Sequence, residues 1–375
     1  MTNQSTADVL IVGGGLVGSS AALALSRRNL NVILLERDTC GSRSSGINFG
    51  GVRRQGRTLA QLPLALRAKK IWDNLETIIG IQGEYSRTGH LKLARSAQDF
   101  AALEAYRDKT RDYGLELELL GAAALRRRCP WLAPTLAGAS FCPGDGQANP
   151  RLVAPAFAAA ARRAGARIFE RQEMVRVDRQ GGEFTVDTSD GLRFSAPILL
   201  NCAGAWSLAI AEQFGDVVPL TQGYPAMAVT EPLPYFIRYG IGVQGGDIYC
   251  RQVARGNVII GGGRGIGLGP ALARSTQDNL LQLMARIIRL IPVLEHAQII
   301  RTWSGVEGYL PDRQPVICAS PATPGLFHGF GFSGGGFETG PAAGEVLADL
   351  VINQTTETPI DAFDIRRFSS TKTAA

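Results

Sequence analysis

The chain has 375 residues, of which 45% are hydrophobic and 19% charged, which predicts two domains or one large composite domain and excludes extended disorder. Its net charge is +6, but it has no basic run and no aromatic-basic repeat, so we do not expect nucleic-acid binding. The uncharged stretch 9–25 lacks a basic flank and is interrupted by glycines, so we expect neither a signal sequence nor a membrane span. No C-x-x-C pair occurs among the six cysteines, which argues against a zinc or iron–sulfur site and against a disulfide framework, and fits a cytoplasmic protein.

The first predicted elements, over residues 8–36, are a buried strand, a glycine turn, an Ala-rich helix and a second buried strand that ends in an acid. In the turn, Gly13 permits the tight bend, Gly15 lets the backbone approach a pyrophosphate, and Gly18 lets the helix pack closely on the strand. The helix N-terminus attracts phosphates. Glu36 can accept hydrogen bonds from both hydroxyls of a ribose and would repel a 2′-phosphate. The motif therefore predicts a dinucleotide site for NAD or FAD rather than NADP.

The rest of the chain alternates between helical and extended patterns. Nucleotide-type α/β segments occur at its start, middle and end, and sheet-rich segments lie between them. We therefore predict a discontinuous cofactor-binding domain over 1–82, 146–206 and 322–375, and a substrate-binding cap domain over 83–145 and 207–321. The predicted helices lie at 62–79, 97–113, 150–164, 276–291 and 340–352. A strand is predicted at 89–94, a strand and a hairpin over 166–199, and buried strands that run into glycine turns over 198–206 and 326–336.

Four sequence blocks support a family resemblance. They are DVLIVGGGLVG with its later Glu36, SRSSGINFGGVRRQ, NCAGAW, and GFGFSGGGFETGPAAGEVLADL. On these blocks the chain resembles the D-amino-acid oxidase and sarcosine oxidase (DAO) superfamily of FAD flavoproteins. Within that superfamily it is most similar to the flavin (beta or B) subunits of heteromeric opine oxidases or dehydrogenases. The resemblance implies an α/β fold with a Rossmann-like FAD-binding domain of the GR2 type and an inserted antiparallel-sheet substrate domain.

The resemblance implies non-covalent FAD and assigns residues to each part of it. Those expected on the ADP half, including its phosphates, ribose and adenine, are Gly13, Gly15, Leu16, Val17, Gly18, Glu36, Arg37, Ser44, Ser45, Val175, Ala203, Gly204 and Trp206. Those expected at the isoalloxazine are Gly50, Gly51, Val52, Gly331, Phe332, Ser333, Gly334, Gly335 and Gly336. We expect no metal.

Members of the superfamily oxidise a carbon–nitrogen bond beside a carboxylate, which needs a carboxylate holder rather than an acid–base triad. Arginine suits that task because its fork matches two oxygens. Arg53 or Arg54 is the first candidate, although either could instead pair with a phosphate or with the protein, and Arg264 is the second. His90 either reaches the substrate pocket or is a hydrogen-bonded core residue.

The block TWSGVEGYLPDRQPVI resembles the segment that lines the substrate pocket, and it contains Glu307 and Tyr309. Relatives of the glycine-oxidase type carry an arginine where this chain has Glu307. A carboxylate there would attract the secondary amine or the guanidinium of an arginine-derived opine, or it would simply pair with a nearby arginine. Sarcosine oxidases carry a lysine at the position of Glu338, so we expect slow reaction with oxygen. Alternatively, Glu338 complements the dipole of the last helix.

These observations favour the catalytic FAD subunit of an opine dehydrogenase, which passes electrons to iron–sulfur or flavoprotein partner subunits. One alternative is a free-standing D-amino-acid, glycine or sarcosine-type oxidase, or a hydroxyproline dehydrogenase. Another is a flavin-binding subunit without catalytic activity. The sequence does not name the substrate, because opines, D-amino acids and hydroxyproline share the same minimal requirements.

Overall fold

The computed structural model describes residues 4–373. In chain order its strands are β1 (Gln4–Thr6), β2 (Val9–Val12), β3 (Val32–Glu36), β4 (Gly51–Val52), β5 (His90–Ala94), β6 (Glu118–Gly121), β7 (Gly138–Cys142), β8 (Gly146–Gln147), β9 (Arg167–Glu170), β10 (Met174–Gln180), β11 (Glu183–Thr188), β12 (Arg193–Ala196), β13 (Ile198–Asn201), β14 (Thr221–Gly223), β15 (Pro225–Pro232), β16 (Gly240–Val243), β17 (Tyr249–Gln252), β18 (Asn257–Arg264), β19 (Ile266–Gly267), β20 (Ala273–Arg274), β21 (Ile299–Ser304), β22 (Glu307–Tyr309), β23 (Val316–Ala319) and β24 (Leu326–Phe330).

The predicted helices are present, but one is interrupted, one begins earlier than predicted, and three short helices at 44–47, 122–128 and 207–213 were not predicted. The α-helices are α1 (Leu16–Ser26), α2 (Ser44–Ile47), α3 (Leu62–Asp73), α4 (Leu75–Ile79), α5 (Ala97–Thr110), α6 (Ala122–Arg128), α7 (Pro150–Arg163), α8 (Ser207–Gln213), α9 (Gln277–Leu290) and α10 (Gly336–Asn353). The helix predicted at 62–79 is interrupted at Asn74, whose backbone leaves the helical region (φ −114°, ψ 22°). The last helix begins at Gly336 rather than 340, because the glycine run before it continues directly into the first turn despite Pro341 further on. No helix in the described part of the chain is long and apolar enough to cross a lipid bilayer.

A six-stranded sheet in the order β23-β24-β13-β2-β3-β9 forms the first domain. All its neighbours are parallel except β23 and β24. Its central strands are runs of valine, isoleucine and leucine because both faces of the sheet are covered, one by helices and the other by the strands β10, β11 and β12. The chain leaves β2 for β3 on one side and later adds β13 on the other. This arrangement places a topological switch point at the carboxyl ends of β2 and β13, where open α/β sheets bind ligands.

Helices α1 and α10 pack closely against each other. A Cβ on Gly344 would lie 2.6 Å from both the Val17 carbonyl oxygen and the Ala21 nitrogen, so only glycine permits this approach. The contact matters for the site because α1 and α10 both begin at the carboxyl edge of the six-stranded sheet, where the glycine turns lie.

The second domain is built on an eight-stranded sheet in the order β21-β15-β18-β17-β16-β5-β7-β6. It is antiparallel apart from the parallel pair β16 and β5. One face of this sheet packs its apolar side chains, among them Leu91, Cys250 and Ile260, in a hydrophobic core. Side chains alternate along a strand, so His90, Lys92 and Tyr249 lie on the opposite face.

That opposite face meets the segment that follows α2. The rings of Tyr249 and Phe49 are 4.8 Å apart in an edge-to-face arrangement, and Arg251 Nε donates to the carbonyl oxygen of Phe49 (2.6 Å). The strands β5 to β7 and β14 to β18, with β21, supply this domain, whereas β23 pairs with β24 at the edge of the first sheet. A further four-stranded sheet, β1-β12-β11-β10, lies beside the first domain.

Candidate active site

Three glycine-containing loops lie together at the carboxyl edge of the six-stranded sheet. They follow β2, β13 and β24, which are parallel neighbours or next neighbours in that sheet. In the first loop Gly13 has φ +107°, and a Cβ there would lie 2.3 Å from the Cys202 carbonyl oxygen in the second loop. A Cβ on Gly18 would lie 2.0 Å from the Gly13 oxygen. The packing of these loops therefore requires glycine at both positions.

The N-terminus of α1 lies among these three loops. Gly15 caps the helix and its first turn contains no acidic residue, so the partial positive charge of the helix is not neutralised there. Ser45 Oγ accepts a hydrogen bond from the Leu16 amide (2.9 Å), and Ser44 Oγ donates to the Val306 carbonyl oxygen (2.5 Å). Val17, by contrast, faces α10. The short helix α2, which contains both serines, is thereby held against the N-terminus of α1.

Glu36 lies at the end of β3 beside the glycine turn. Its Oε2 accepts from the Gly14 amide (2.7 Å) and its Oε1 from the Asp38 amide (2.9 Å). Desolvation raises the pKa of Glu36, while these two amides favour its charged form. The Gln172 amide donates to the Glu36 carbonyl oxygen (2.9 Å), which brings the segment leading to exposed Val175 alongside.

Trp206 lies in the turn after β13, which also contains Ala203 and Gly204. The Arg37 guanidinium lies 4.4 Å from the centroid of its ring. Trp206 Nε1 donates to the carbonyl oxygen of Pro270 (2.8 Å), and Arg43 Nη1 donates to that of Ala271 (2.6 Å). The tip of the β19–β20 hairpin is thus fixed over the predicted adenosine region.

The predicted isoalloxazine residues fall in two segments. Gly50, Gly51 and Val52 form a bend and the short strand β4, which pairs with β8. A Cβ on Gly50 would lie 2.2 Å from the Ala148 carbonyl oxygen. The loop after β24 contains left-handed residues at Gly331, Ser333 and Gly334, and it ends where α10 begins; Phe332, Gly335 and Gly336 complete it.

Glu307 is anchored to this last loop. Its Oε1 accepts from the Gly334 amide (2.6 Å) and its Oε2 accepts from the Tyr309 hydroxyl (3.0 Å). Desolvation raises the pKa of Glu307, and both hydrogen bonds act in the opposite direction. Among the ion pairs of the described residues none includes Glu307, although the charges of Arg313 and Arg57 also act to lower its pKa.

Arg53 and Arg54 have different surroundings. Arg54 is buried, and its Nε lies 3.3 Å from Asp145 Oδ1, while the Asp145 carboxylate also accepts from the Arg54 and Gln55 amides (3.0 Å each). Arg53 is half-buried and donates from Nη1 to the Gln55 carbonyl oxygen (2.5 Å). Burial and the neighbouring Arg57 lower the pKa of Arg53 to about 10. Arg54 is thus engaged in structural pairing, whereas Arg53 has an unpaired charge.

The two other predicted substrate residues contribute less. His90 is buried, and its Nδ1 lies 3.2 Å from Gln55 Nε2. Burial and the charge of Arg53 lower the pKa of His90 well below its usual value, so the ring is neutral. Arg264 is exposed at the end of β18, with its guanidinium 5.8 Å from the centroid of the Tyr309 ring. Arg264 therefore lies beside the candidate substrate site and not inside it.

The sequence analysis missed Tyr249. A Cβ on Gly261 would lie 2.0 Å from Tyr249 Cε2, so this glycine makes room for the ring. Burial and the charge of Glu307 raise the pKa of Tyr249 to about 12, and Arg53 acts against them. The pKa of Tyr249 therefore responds to both charges. The signal available in the sequence was that Tyr249 and Arg251 alternate with Cys250 and Gln252, which are buried. Such alternation indicates a strand with one face toward the site.

Glu338 is fully buried in the first turn of α10. Its carboxylate lies 3.2 Å from Arg57 Nη2, which also donates to the Gly335 carbonyl oxygen (3.2 Å). Burial raises the pKa of Glu338 to about 7. The position of Glu338 in the first turn agrees with the predicted interaction between its carboxylate and the dipole of α10, but the ion pair that it forms is with Arg57.

Comparison with known proteins agrees with this geometry. The family model for FAD dependent oxidoreductases of the DAO family matches residues 8–350. The chain is 30% identical to the glycine oxidase of Geobacillus kaustophilus (strain HTA426) over 97% of both chains. It is 27% identical to sarcosine oxidase subunit beta of Rhizobium meliloti (strain 1021), over 96% of this chain and 88% of that one. The crystal structure of L-proline dehydrogenase from P. horikoshii superimposes with a TM-score of 0.90 and 25% identity, covering 99% of both chains.

The chain therefore belongs to the DAO family of FAD-dependent oxidoreductases. FAD, the predicted fold class and the predicted family are confirmed by these matches. The described residues fit the cofactor, because the glycine turns, the unneutralised α1 N-terminus and Glu36 lie together at the switch point of the sheet.

Proposed function

We propose that this chain is the FAD-bearing catalytic subunit of a dehydrogenase that oxidises the CH–NH bond of an opine-like amino-acid substrate. The observation that carries the proposal is a pair of unmatched charges at one site. Neither Glu307 nor Arg53 takes part in an ion pair of the described residues, and the charges of both act on the pKa of Tyr249. A substrate with a carboxylate and a cationic group other than the reacting amine, such as a guanidinium, would satisfy both residues.

The reaction removes a hydride from the α-carbon and a proton from the nitrogen, which leaves an imine that water hydrolyses. When bound, FAD supplies the hydride acceptor. The protein must hold the substrate in one orientation and keep its amine deprotonated. We assign carboxylate binding to the Arg53 fork. Glu307, held by Gly334 and Tyr309, would bind the nitrogen or the guanidinium of an arginine-derived opine.

The fate of the electrons is the second part of the proposal. In place of a free cation, Glu338 forms a buried pair with Arg57 beside the glycine loop that precedes α10. An unpaired positive charge, which would stabilise developing superoxide, is not found at this position. Sarcosine oxidase subunit beta, which this chain resembles over most of its length, is by name one subunit of a larger enzyme. We therefore propose that electrons pass to partner subunits.

Co-purification and a substrate panel test this function. The untagged holoenzyme, expressed with its native neighbours, should co-purify with electron-carrier chains. Anaerobic addition of opines should bleach the flavin faster than addition of D-amino acids, glycine or sarcosine. Bleaching by glycine or sarcosine alone would support the oxidase alternative. No bleaching by any of these compounds would support a flavin subunit without catalytic activity.

A further inference from the structure

Lys92 lies on β5 on the same face of the sheet as His90 and extends toward Gly56. A Cβ on Gly56 would lie 3.2 Å from Lys92 Nζ and 3.2 Å from Arg53 Nη1. The two cationic groups come from different domains and converge on one point. Both side chains are half-buried and still accessible, and Gly56 itself is exposed. A small anion could therefore reach this point.

The nearby carboxylates are already engaged. Asp145 is bound by Arg54, and Glu338 is paired with Arg57. Among the described residues, no ion pair includes Arg53 or Lys92.

The remaining contacts of these two cations do not neutralise them. Lys92 Nζ lies 5.8 Å from the centroid of the Tyr106 ring, and Arg53 donates to a backbone carbonyl. Burial and the charge of Arg53 lower the pKa of Lys92 to about 8, which leaves it mostly protonated at neutral pH. Two unpaired cations in a partly desolvated place form an anion site.

We propose that Lys92 is a substrate-specificity residue that acts together with Arg53. The opine-like substrate of the proposed function is an iminodicarboxylate, which is a secondary amine with a carboxylated carbon on each side of its nitrogen, and Arg53 and Lys92 would each bind one of its carboxylates. A substrate with one carboxylate would leave one net positive charge at this point, whereas a dicarboxylate would leave none. This inference rests on the proposed function, because it adds a second carboxylate ligand to the same site. It makes Lys92 the residue that discriminates against singly carboxylated amino acids.

The test uses two probes that lack the oxidisable nitrogen. Diglycolate is the ether analogue of the simplest iminodicarboxylate, and methoxyacetate is its counterpart with one carboxylate. Calorimetry with the holoenzyme should show that diglycolate binds about tenfold or more tightly than methoxyacetate, as one additional charge-assisted contact predicts. Lys92→Met should abolish this preference by weakening diglycolate about tenfold more than methoxyacetate. Lys92→Arg should retain the preference.

Lys109→Met is the matched control, because Lys109 is exposed on the neighbouring helix α5. The Lys109→Met protein should bind both probes like the wild type. FAD content and thermal midpoint verify that the Lys92 variants are folded. Equal affinity of the wild type for both probes, or a preference that survives in Lys92→Met, would overturn the inference. The proposed function fails separately: if opines do not bleach the flavin while the diglycolate preference persists, the anion site stands and the reaction assignment does not.

Discussion

Replacing Glu307 with glutamine separates its charge from its shape. The glutamine oxygen can still accept from the Gly334 amide, and its NH2 group can donate to the Tyr309 hydroxyl, so both contacts seen with the carboxylate have a counterpart. What disappears is the negative charge. Because desolvation raises the pKa of Glu307, the fold disfavours that charge, so its loss should not lower the thermal midpoint at neutral pH.

The effect on binding should be large for a cationic nitrogen. A hydrogen bond to a charged group contributes about 1.5–3 kcal/mol. At about 1.4 kcal/mol per tenfold, Glu307→Gln should weaken binding of an opine roughly tenfold to a hundredfold. The assay is the concentration dependence of anaerobic flavin bleaching by stopped flow, which separates substrate affinity from the limiting reduction rate.

Methoxyacetate supplies the internal control because it is an anion without a cationic nitrogen. Removing a negative charge from the site should leave its affinity unchanged or raise it. The reasoning is refuted if Glu307→Gln weakens methoxyacetate as much as the opine, which indicates general damage. It is equally refuted if opine affinity does not change.

Three further predictions concern stability and cofactor retention. Burial raises the pKa of Glu338 from 4.5 to about 7, so this carboxyl should lower the free energy of unfolding, by on the order of 3 kcal/mol, as the pH rises between these values, and Glu338→Gln should reduce the measured slope by that amount in urea titrations at each pH. Trp206→Phe loses the hydrogen bond to Pro270, which contributes about 0.5–1.5 kcal/mol, so FAD should dissociate roughly threefold to tenfold faster by flavin fluorescence. Gly13→Ala forces φ +107° and a 2.3 Å contact on a residue with a side chain, so it should cost at least about 1–3 kcal/mol and reduce FAD content per folded protein.

Each of these predictions can be contradicted. For the first, the exposed Glu116→Gln variant should retain the wild-type pH slope, and a slope that persists in Glu338→Gln excludes this carboxyl as its source. An unchanged FAD dissociation rate in Trp206→Phe would show that the hairpin tip does not retain the cofactor. A Gly13→Ala protein with full FAD content and wild-type stability would contradict the account of the turn.

The cofactor half of the site was accessible to sequence reasoning because its residues are local. Gly13, Gly18 and Glu36 follow one another through a single strand-turn-helix-strand unit, so their spacing in sequence fixes their spacing in space. The family blocks then extended the prediction to loops that are distant in sequence. The early start of α10 was missed because three consecutive glycines resemble a loop even where they enter a helix.

The substrate half could not be predicted in the same way, because it depends on contacts between distant segments. Arg53 and Arg54 are adjacent in sequence, and only the position of Asp145 shows which of them is already paired. Lys92 approaches Arg53 across the domain boundary, and no local pattern connects them. The place of Tyr249 in the site could not be predicted without knowing which face of its strand meets the first domain.

The central claim is that the enzyme takes electrons from an opine-like substrate and gives them to a partner rather than to oxygen. The most direct test is a two-step stopped-flow measurement on the isolated holoenzyme. The flavin is first reduced anaerobically with an opine and then mixed with air-saturated buffer. We expect rapid bleaching followed by reoxidation too slow to support turnover. Absence of bleaching by opines, or reoxidation in air fast enough for turnover, would contradict it.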